Sequence, residues 1–338
     1  MKLTKTNSRI LAIESLEQRS LLAGNVTANV DSNGILHVTG DDQNNLIEIR
    51  QLAPSGATTP WPGARYELTS YGQVPTLING HASAIVEGIK NGFTINMNGG
   101  DDDLAIFRPN GNGYFAGVPG TVNVDMGSGN DFFHPYITNH SAVNVSLGEG
   151  NDGMEFHGNV FQLTIAGDVP SAPAGDDDIE FFLKADGPVS IDAGGGNNKI
   201  VEFALSTSNS GATVNIASGN GADNVKIWGT ASLKSAMRVE TNGGDDLLQI
   251  EHLTTSAMLT INTAKGNDHI DIEEVSVSST LGVWLGEGND VLNLYQNIAT
   301  AKSTLGGGDG VDTLGVGKDK QVALGDETIT GFEIRKNL

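Results

Sequence analysis

The chain has 338 residues, with 41 acidic against 19 basic side chains, a formal net charge of -22, 45 glycines and no cysteine. A surplus this negative repels phosphate backbones and anionic lipid headgroups, which sets aside nucleic acid and membrane-surface partners. The missing cysteine removes disulfide frameworks, thiol nucleophiles and Cys-ligated zinc or iron–sulfur sites, and no apolar run of about 18 residues exists to serve as a transmembrane segment.

In chain order, residues 1–24 form the first unit. They open with Lys2, Lys5 and Arg9, as an export signal does, but Glu14, Glu17 and Arg19 interrupt any hydrophobic stretch. The segment Leu16-Glu17-Gln18-Arg19-Ser20-Leu21-Leu22 resembles the Leu-Glu-Pro-Arg-x-Leu-Leu sorting segment that begins many large repetitive bacterial surface and secreted proteins, with Gln18 in place of the proline. That resemblance implies export or surface sorting. Read from its residues alone, the stretch is also compatible with a short amphipathic helix that ends at Gly24.

Residues 25–92 are β-rich. Val26–Val30 and Ile35–Val38 flank the turn Asp31-Ser-Asn-Gly34, which predicts a hairpin. Residues 40–49 resemble a degenerate copy of the turn described next, and a Pro- and Gly-rich loop runs from Ala53 to Gly63. This region is expected to form an entry cap with irregular first coils.

Residues 93–316 are organised by a repeat. Ten times, an acidic or amide anchor lies two positions after a glycine and two before an apolar residue; the anchors are Asp102, Asp131, Asp152, Asp177, Asn198, Asp223, Asp246, Asp268, Asp290 and Asp312. Successive anchors are 29, 21, 25, 21, 25, 23, 22, 22 and 22 residues apart, a unit of about 22 with insertions, and such a period marks a solenoid. Apolar residues alternate on both flanks, as in Val143, Val145, Leu147 before Asp152 and Ile270, Ile272 after Asp268. Alternation over short segments predicts strands with one buried face. A two-strand unit cannot bury that face against itself, so units must stack. The fold class expected is all-β: a parallel β-helix or β-roll of about ten coils. The segment around Pro170 and Pro173, together with Pro135 and Glu202 at expected apolar positions, reads as loop insertions or bulges on the return side. Residues 317–338 lack the turn and are expected to cap the last coil, because an open sheet edge templates aggregation.

The chemistry lies in the turns. Asp and Asn both serve a local turn, yet nine of the ten anchors are Asp, whereas the position before them accepts either type. Carboxylates stacked about 4.8 Å apart repel by roughly 1 kcal/mol per pair in water and about 3.5 kcal/mol at an effective dielectric of 20. Basic side chains near the turns are too few to offset this, Lys265 being the main exception. A divalent cation would offset it, and carboxylate and carbonyl oxygens suit Ca²⁺.

At this point the residues reach a family. Gly307-Gly308-Asp309-Gly310-Val311-Asp312-Thr313-Leu314-Gly315 resembles the Gly-Gly-x-Gly-x-Asp-x-apolar-x nonapeptide of hemolysin-type (RTX) calcium-binding repeats, with partial copies such as Gly127–Asp131, Gly148–Asp152, Gly219–Asp223 and Gly286–Asp290. The resemblance implies several Ca²⁺ ions held between stacked turns, and candidate ligands at Asp102, Asp131, Asp152, Asp177, Asp223, Asp246, Asp268, Asp290, Asp309 and Asp312. Family nonapeptides run in tandem, whereas here one turn recurs per unit, so a single line of sites is expected. Asn198 interrupts that line, and the 29-residue step before Asp131 is expected to displace the Asp102 turn.

Other chemistry is thinner. The runs Asp101–Asp103 and Asp176–Asp178 could supply paired carboxylates for glycoside hydrolysis but coincide with repeat turns. The seven histidines show no metal-ligand spacing, and no nucleophile elbow or phosphate loop occurs. The expected protein is a non-catalytic, exported, Ca²⁺-stabilised repeat protein of the cell surface or matrix, structural or adhesive, with a matrix polysaccharide or protein as partner. The alternative is a β-helix polysaccharide lyase or glycoside hydrolase, by analogy of fold.

Overall fold

In the computed structural model, residues 24–338 are described apart from 53–63, 73–74, 108–114, 170–173, 210, 297 and 318–321. The sorting-like segment, the Ala53–Gly63 loop and the Pro170–Pro173 insertion therefore lie outside the described residues, save Gly24.

Every described element is a β-strand, and 28 strands join one hydrogen-bonded parallel solenoid of about 9 turns. Each coil has one strand before the turn and one after it, and each strand pairs in parallel with its equivalent one coil along. The run before the turn is Thr121–Asp125, then Val143–Ser146 within Phe132–Gly148, Leu163–Ala166 within Gly153–Asp168, Val189–Asp192, Thr213–Ala217, Ala236–Glu240 and Leu259–Asn262. The run after the turn includes Asp178–Ala185, Lys199–Thr207, Asn224–Leu233, Leu247–Thr255, His269–Glu273, Val291–Tyr295 and Thr313–Val316. Period-two alternation points one residue in two inward, so Val214 and Ile216 or Ile270 and Ile272 enter a single continuous core.

The entry end departs from this pattern as its residues suggest. Asn25–Val30 and Ile35–Thr39 form the antiparallel hairpin closed by Gly34 at φ +78°. Ala64–Ser70 pairs antiparallel with Leu46–Leu52 and with Ser83–Ile89. The strands Ile35–Thr39 and Leu46–Leu52 lie parallel to Gly92–Asn96 and Asp103–Phe107, so the degenerate copy at 40–49 is a true first coil. At the other end, Val322–Leu324, Glu327–Thr330 and Ile334–Asn337 pair in parallel with the preceding coil and so continue the solenoid. Glu202, expected on a return-side bulge, is instead wholly buried inside the coil, while its neighbour Phe203 is the residue left out of register.

The turn glycines are fixed by stacking as much as by dihedral angle. Gly266 has φ +131°, and a Cβ there would land on the carbonyl oxygen of Gly244 one coil earlier. The same relation links Gly288 to Gly266 and Gly150 to Gly129. Gly266→Ala should therefore cost about 3–5 kcal/mol, from a forbidden φ added to a backbone collision. Urea unfolding would check this, and a loss below about 1 kcal/mol would show that the coils are not packed this closely.

Candidate polar ladder and outer face

The ten anchors stand in one file. Asp102, Asp131, Asp152, Asp177, Asn198, Asp223, Asp246, Asp268, Asp290 and Asp312 are all buried at 3% exposure or less. Asp102 is in register despite the 29-residue step, contrary to the expected displacement: its N–H donates to Asp131 Oδ1, and Asp103–Phe107 and Gly92–Asn96 pair in parallel with the next coil.

Each anchor carboxylate reaches back one coil. The Asp131 amide N–H donates to Asp152 Oδ1 at 2.8 Å, Asp152 N–H to Asp177 Oδ1 at 2.9 Å, and Asp268 N–H to Asp290 Oδ1 at 2.8 Å. The file begins with Asn45 N–H on Asp102 Oδ1 and closes with Asp312 N–H on Glu333 Oε2. Asn198 does not interrupt it: Asp177 N–H donates to Asn198 Oδ1 at 2.8 Å. The preceding residues form a second, exposed ladder that runs the opposite way, as where Asn151 N–H donates to Asn130 Oδ1 at 2.9 Å and Asn289 N–H to Asn267 Oδ1 at 3.0 Å. Two adjacent residues thus clamp a turn to both neighbours, except that Ala222 offers no acceptor to the Asp245 turn.

The second carboxylate oxygen is different. Oδ2 of Asp102, Asp131, Asp152, Asp177, Asp223, Asp246, Asp268, Asp290 and Asp312 is sealed from solvent and has no hydrogen-bond partner. Asn198 shows what that position faces, because its Nδ2 donates to the carbonyls of Gly195 (2.9 Å) and Ser218 (2.7 Å). An oxygen placed there confronts acceptors. Burial accordingly pushes the anchor carboxyls up, Asp102 to about 8, Asp131 and Asp177 to about 7, and Asp152, Asp223, Asp246, Asp268 and Asp290 to about 6; Asp312 is also raised. The backbone N–H on Oδ1 offsets part of this in each case. In three coils a hydroxyl beside the carboxyl offsets more of it, Ser218 at Asp223, Thr241 at Asp246 and Thr263 at Asp268, although Thr263 also donates to the carbonyl of Leu285 at 2.8 Å.

Each coil offers one anchor carboxylate, with Oδ1 bound to an amide and Oδ2 facing carbonyl oxygens, the oxygen chemistry a Ca²⁺ ion takes, although its usual set of about six to eight oxygens exceeds what one coil presents. Where Asn198 stands, a hydrogen-bond donor occupies the position of the ligand oxygen. No group of three His, Asp or Glu among the described residues is arranged to hold a metal. Asp309, the remaining candidate, lies apart from the file: its side chain is exposed, and its backbone pairs with Glu287 one coil earlier, its carbonyl accepting from Gly288 N–H.

Stacking also gathers residues that linear spacing conceals. On the outer face after the turn, Glu155 Oε1 accepts from Tyr136 Oη (3.2 Å) and lies 2.8 Å from His157 Nε2, while His134 Nδ1 is 3.7 Å from Glu155 Oε2. A hollow of about 440 Å³ lined by Ala105, Phe107, His134 and Tyr136 adjoins them. His157 continues a stacked row with Tyr136, Phe182 and Phe203, centroids 4.4–4.7 Å apart. Aligning the units on their anchors would have revealed both columns, since His134 and Glu155 fall three positions, and Tyr136, His157 and Phe182 five positions, past their anchors.

The fold and ladder define a class, an all-β parallel solenoid whose coils are joined by a buried acidic file. The chain matches no protein-family model, no curated protein and no solved structure.

Proposed function

We propose that the chain is a non-catalytic structural rod of the bacterial cell surface or matrix, exported and offering a long acidic exterior for adhesion or assembly. The observation that carries this reading is that the repeated polar device is spent internally: each anchor carboxylate is buried and bonded to the next coil, so it serves length and rigidity rather than a substrate. The net charge of -22 suits a solvated, mutually repelling filament surface. Export rests on the resemblance of Leu16–Leu22 to a sorting segment. No described helix is long and apolar enough to cross a membrane.

A polysaccharide-active enzyme is the second reading, favoured by Glu155, His134, Tyr136 and His157 beside an aromatic-lined hollow. Two measurements test the choice. Brief protease treatment of intact producing cells should remove the protein, and purified protein should release neither reducing nor unsaturated ends from acidic polysaccharides. Release that is lost in Glu155→Gln would establish the enzyme, and complete protection inside intact cells would end the surface assignment. Ca²⁺ held between the stacked turns, which the nonapeptide resemblance implies, should raise the melting temperature of chelated protein by several degrees; an unchanged melt would remove the ion from this reading.

A further inference from the structure

Glu202 is the one charged side chain in the column four positions past the anchors, where Ile106, Pro135, Phe156, Phe181, Ile227, Ile250, Ile272 and Leu294 otherwise point inward. It is 0% exposed, and its carboxyl oxygens have no side-chain partner, the Leu205 backbone N–H being the one polar group acting on them. Phe181 and Ile227 pair with it on either side, and the strands Val189–Asp192 and Thr213–Ala217, on the other side of the turn, turn Val189, Ile191, Val214 and Ile216 inward. The charged groups of its own and flanking strands, Glu180, Lys199 and Lys226, are on the outer face, where Lys199 binds Glu180 and Asp178 and Lys226 pairs with Glu251. The inward-facing titratable groups nearest in sequence are the turn anchors Asp177 and Asp223, and neither acts on Glu202. Burial pushes its carboxyl up to about 8, against a smaller opposing effect of the Leu205 backbone N–H.

The backbone is irregular at the same point. Glu202 pairs with Phe181 but Ala204 pairs with Phe182, leaving Phe203 as an extra residue, and the pairing with Asn224–Leu233 stops at Glu202. Gly229, at φ +150°, makes room for the displaced Phe203 carbonyl. Side chains alternate faces along a strand, so a one-residue slip exchanges inside for outside. At a bulge that slip needs no change elsewhere in the coil.

We propose that Glu202 and Phe203 form a proton-operated register switch: neutral Glu202 stays in the apolar column, and ionised Glu202 moves to the outer face while Phe203 takes its interior place. The exchange gives the carboxylate water and the column a residue of the same kind as Phe181. It also withdraws Phe203 from its stack with Phe182 and its edge contact with Trp228, 6.3 Å between centroids.

The test is hydrogen exchange across residues 203–206, corrected for the intrinsic base-catalysed rate, together with Trp228 emission in a W61F/W284F background, both followed from pH 6 to 9.5 in full-length protein. Wild type should show a transition centred near pH 8, with opened and closed populations differing about tenfold one unit either side of it. Glu202→Gln and Glu202→Leu should both abolish the transition in this coil and leave pH effects in other coils intact. The same transition in a folded Glu202→Leu protein, or no transition in wild type, would overturn the proposal.

Discussion

In chelating buffer, the melting temperature should fall by roughly 10 °C between pH 5 and pH 8, opposite to the usual behaviour of a carboxylate-stabilised protein. The anchor carboxyls are raised in the folded chain to between about 6 and about 8, while an unfolded aspartate titrates near 3.8. Over that interval the folded state holds more protons than the unfolded state, so stability declines as pH rises. The contribution is complete below about pH 4 and lost through about pH 8. A net ~7 kcal/mol shared among nine rungs suffices for the shift. The geometry supplies the reason: a proton on Oδ2 can be donated to the facing carbonyls, as Asn198 Nδ2 donates to Gly195 and Ser218. A melting temperature that climbs from pH 5 to pH 8 in the same buffer would show that the anchors are ionised in the fold and compensated without a removable cation.

Replacing a single rung should separate its two oxygens. Asp268→Ala removes the acceptor for Asp246 N–H, at 2.9 Å, and leaves a buried amide unpaired beside a small void. Such a loss costs about 2–4 kcal/mol, the unsatisfied donor adding about 1–3 kcal/mol to the packing term. Asp268→Asn keeps that acceptor and places a donor where Oδ2 stood, reproducing the Asn198 rung. It should therefore match wild type near pH 5 and exceed it by about 1 kcal/mol at pH 8, where the buried aspartate has become a charge. Denaturant titrations of both variants at the two pH values check this. If Asn proves as damaging as Ala, the file is not a hydrogen-bond ladder.

Parts of this ladder were legible before any coordinates. The glycine two residues before each anchor and the apolar residue two after it set the period, because a tight turn needs positive φ and a stacked coil needs an inward side chain at a constant place. The turn at 40–49 is legible only as a degenerate copy because Gln43 stands where the glycine should be, and Asn45 serves there as the first rung, donating its N–H to Asp102. The nine-to-one preference for Asp was visible but pointed toward metal, since repulsion between ionised neighbours seemed to require one. What stacking adds is burial, which raises the anchor carboxyls and moves their ionisation toward neutral pH.

The linear chain by itself determined the period, the strand alternation and the single file of anchors, because each is a local matter of side-chain direction and turn conformation. Only the tertiary structure decided what that file does. Whether an aspartate binds an ion, a proton or an amide depends on what lies one coil away, some 22 residues distant in sequence, and on water being excluded between them. Glu202 illustrates the same division: a charge at an apolar position reads in the sequence as a return-side bulge, and only the tertiary structure shows that Glu202 is buried while Phe203 is the residue out of register.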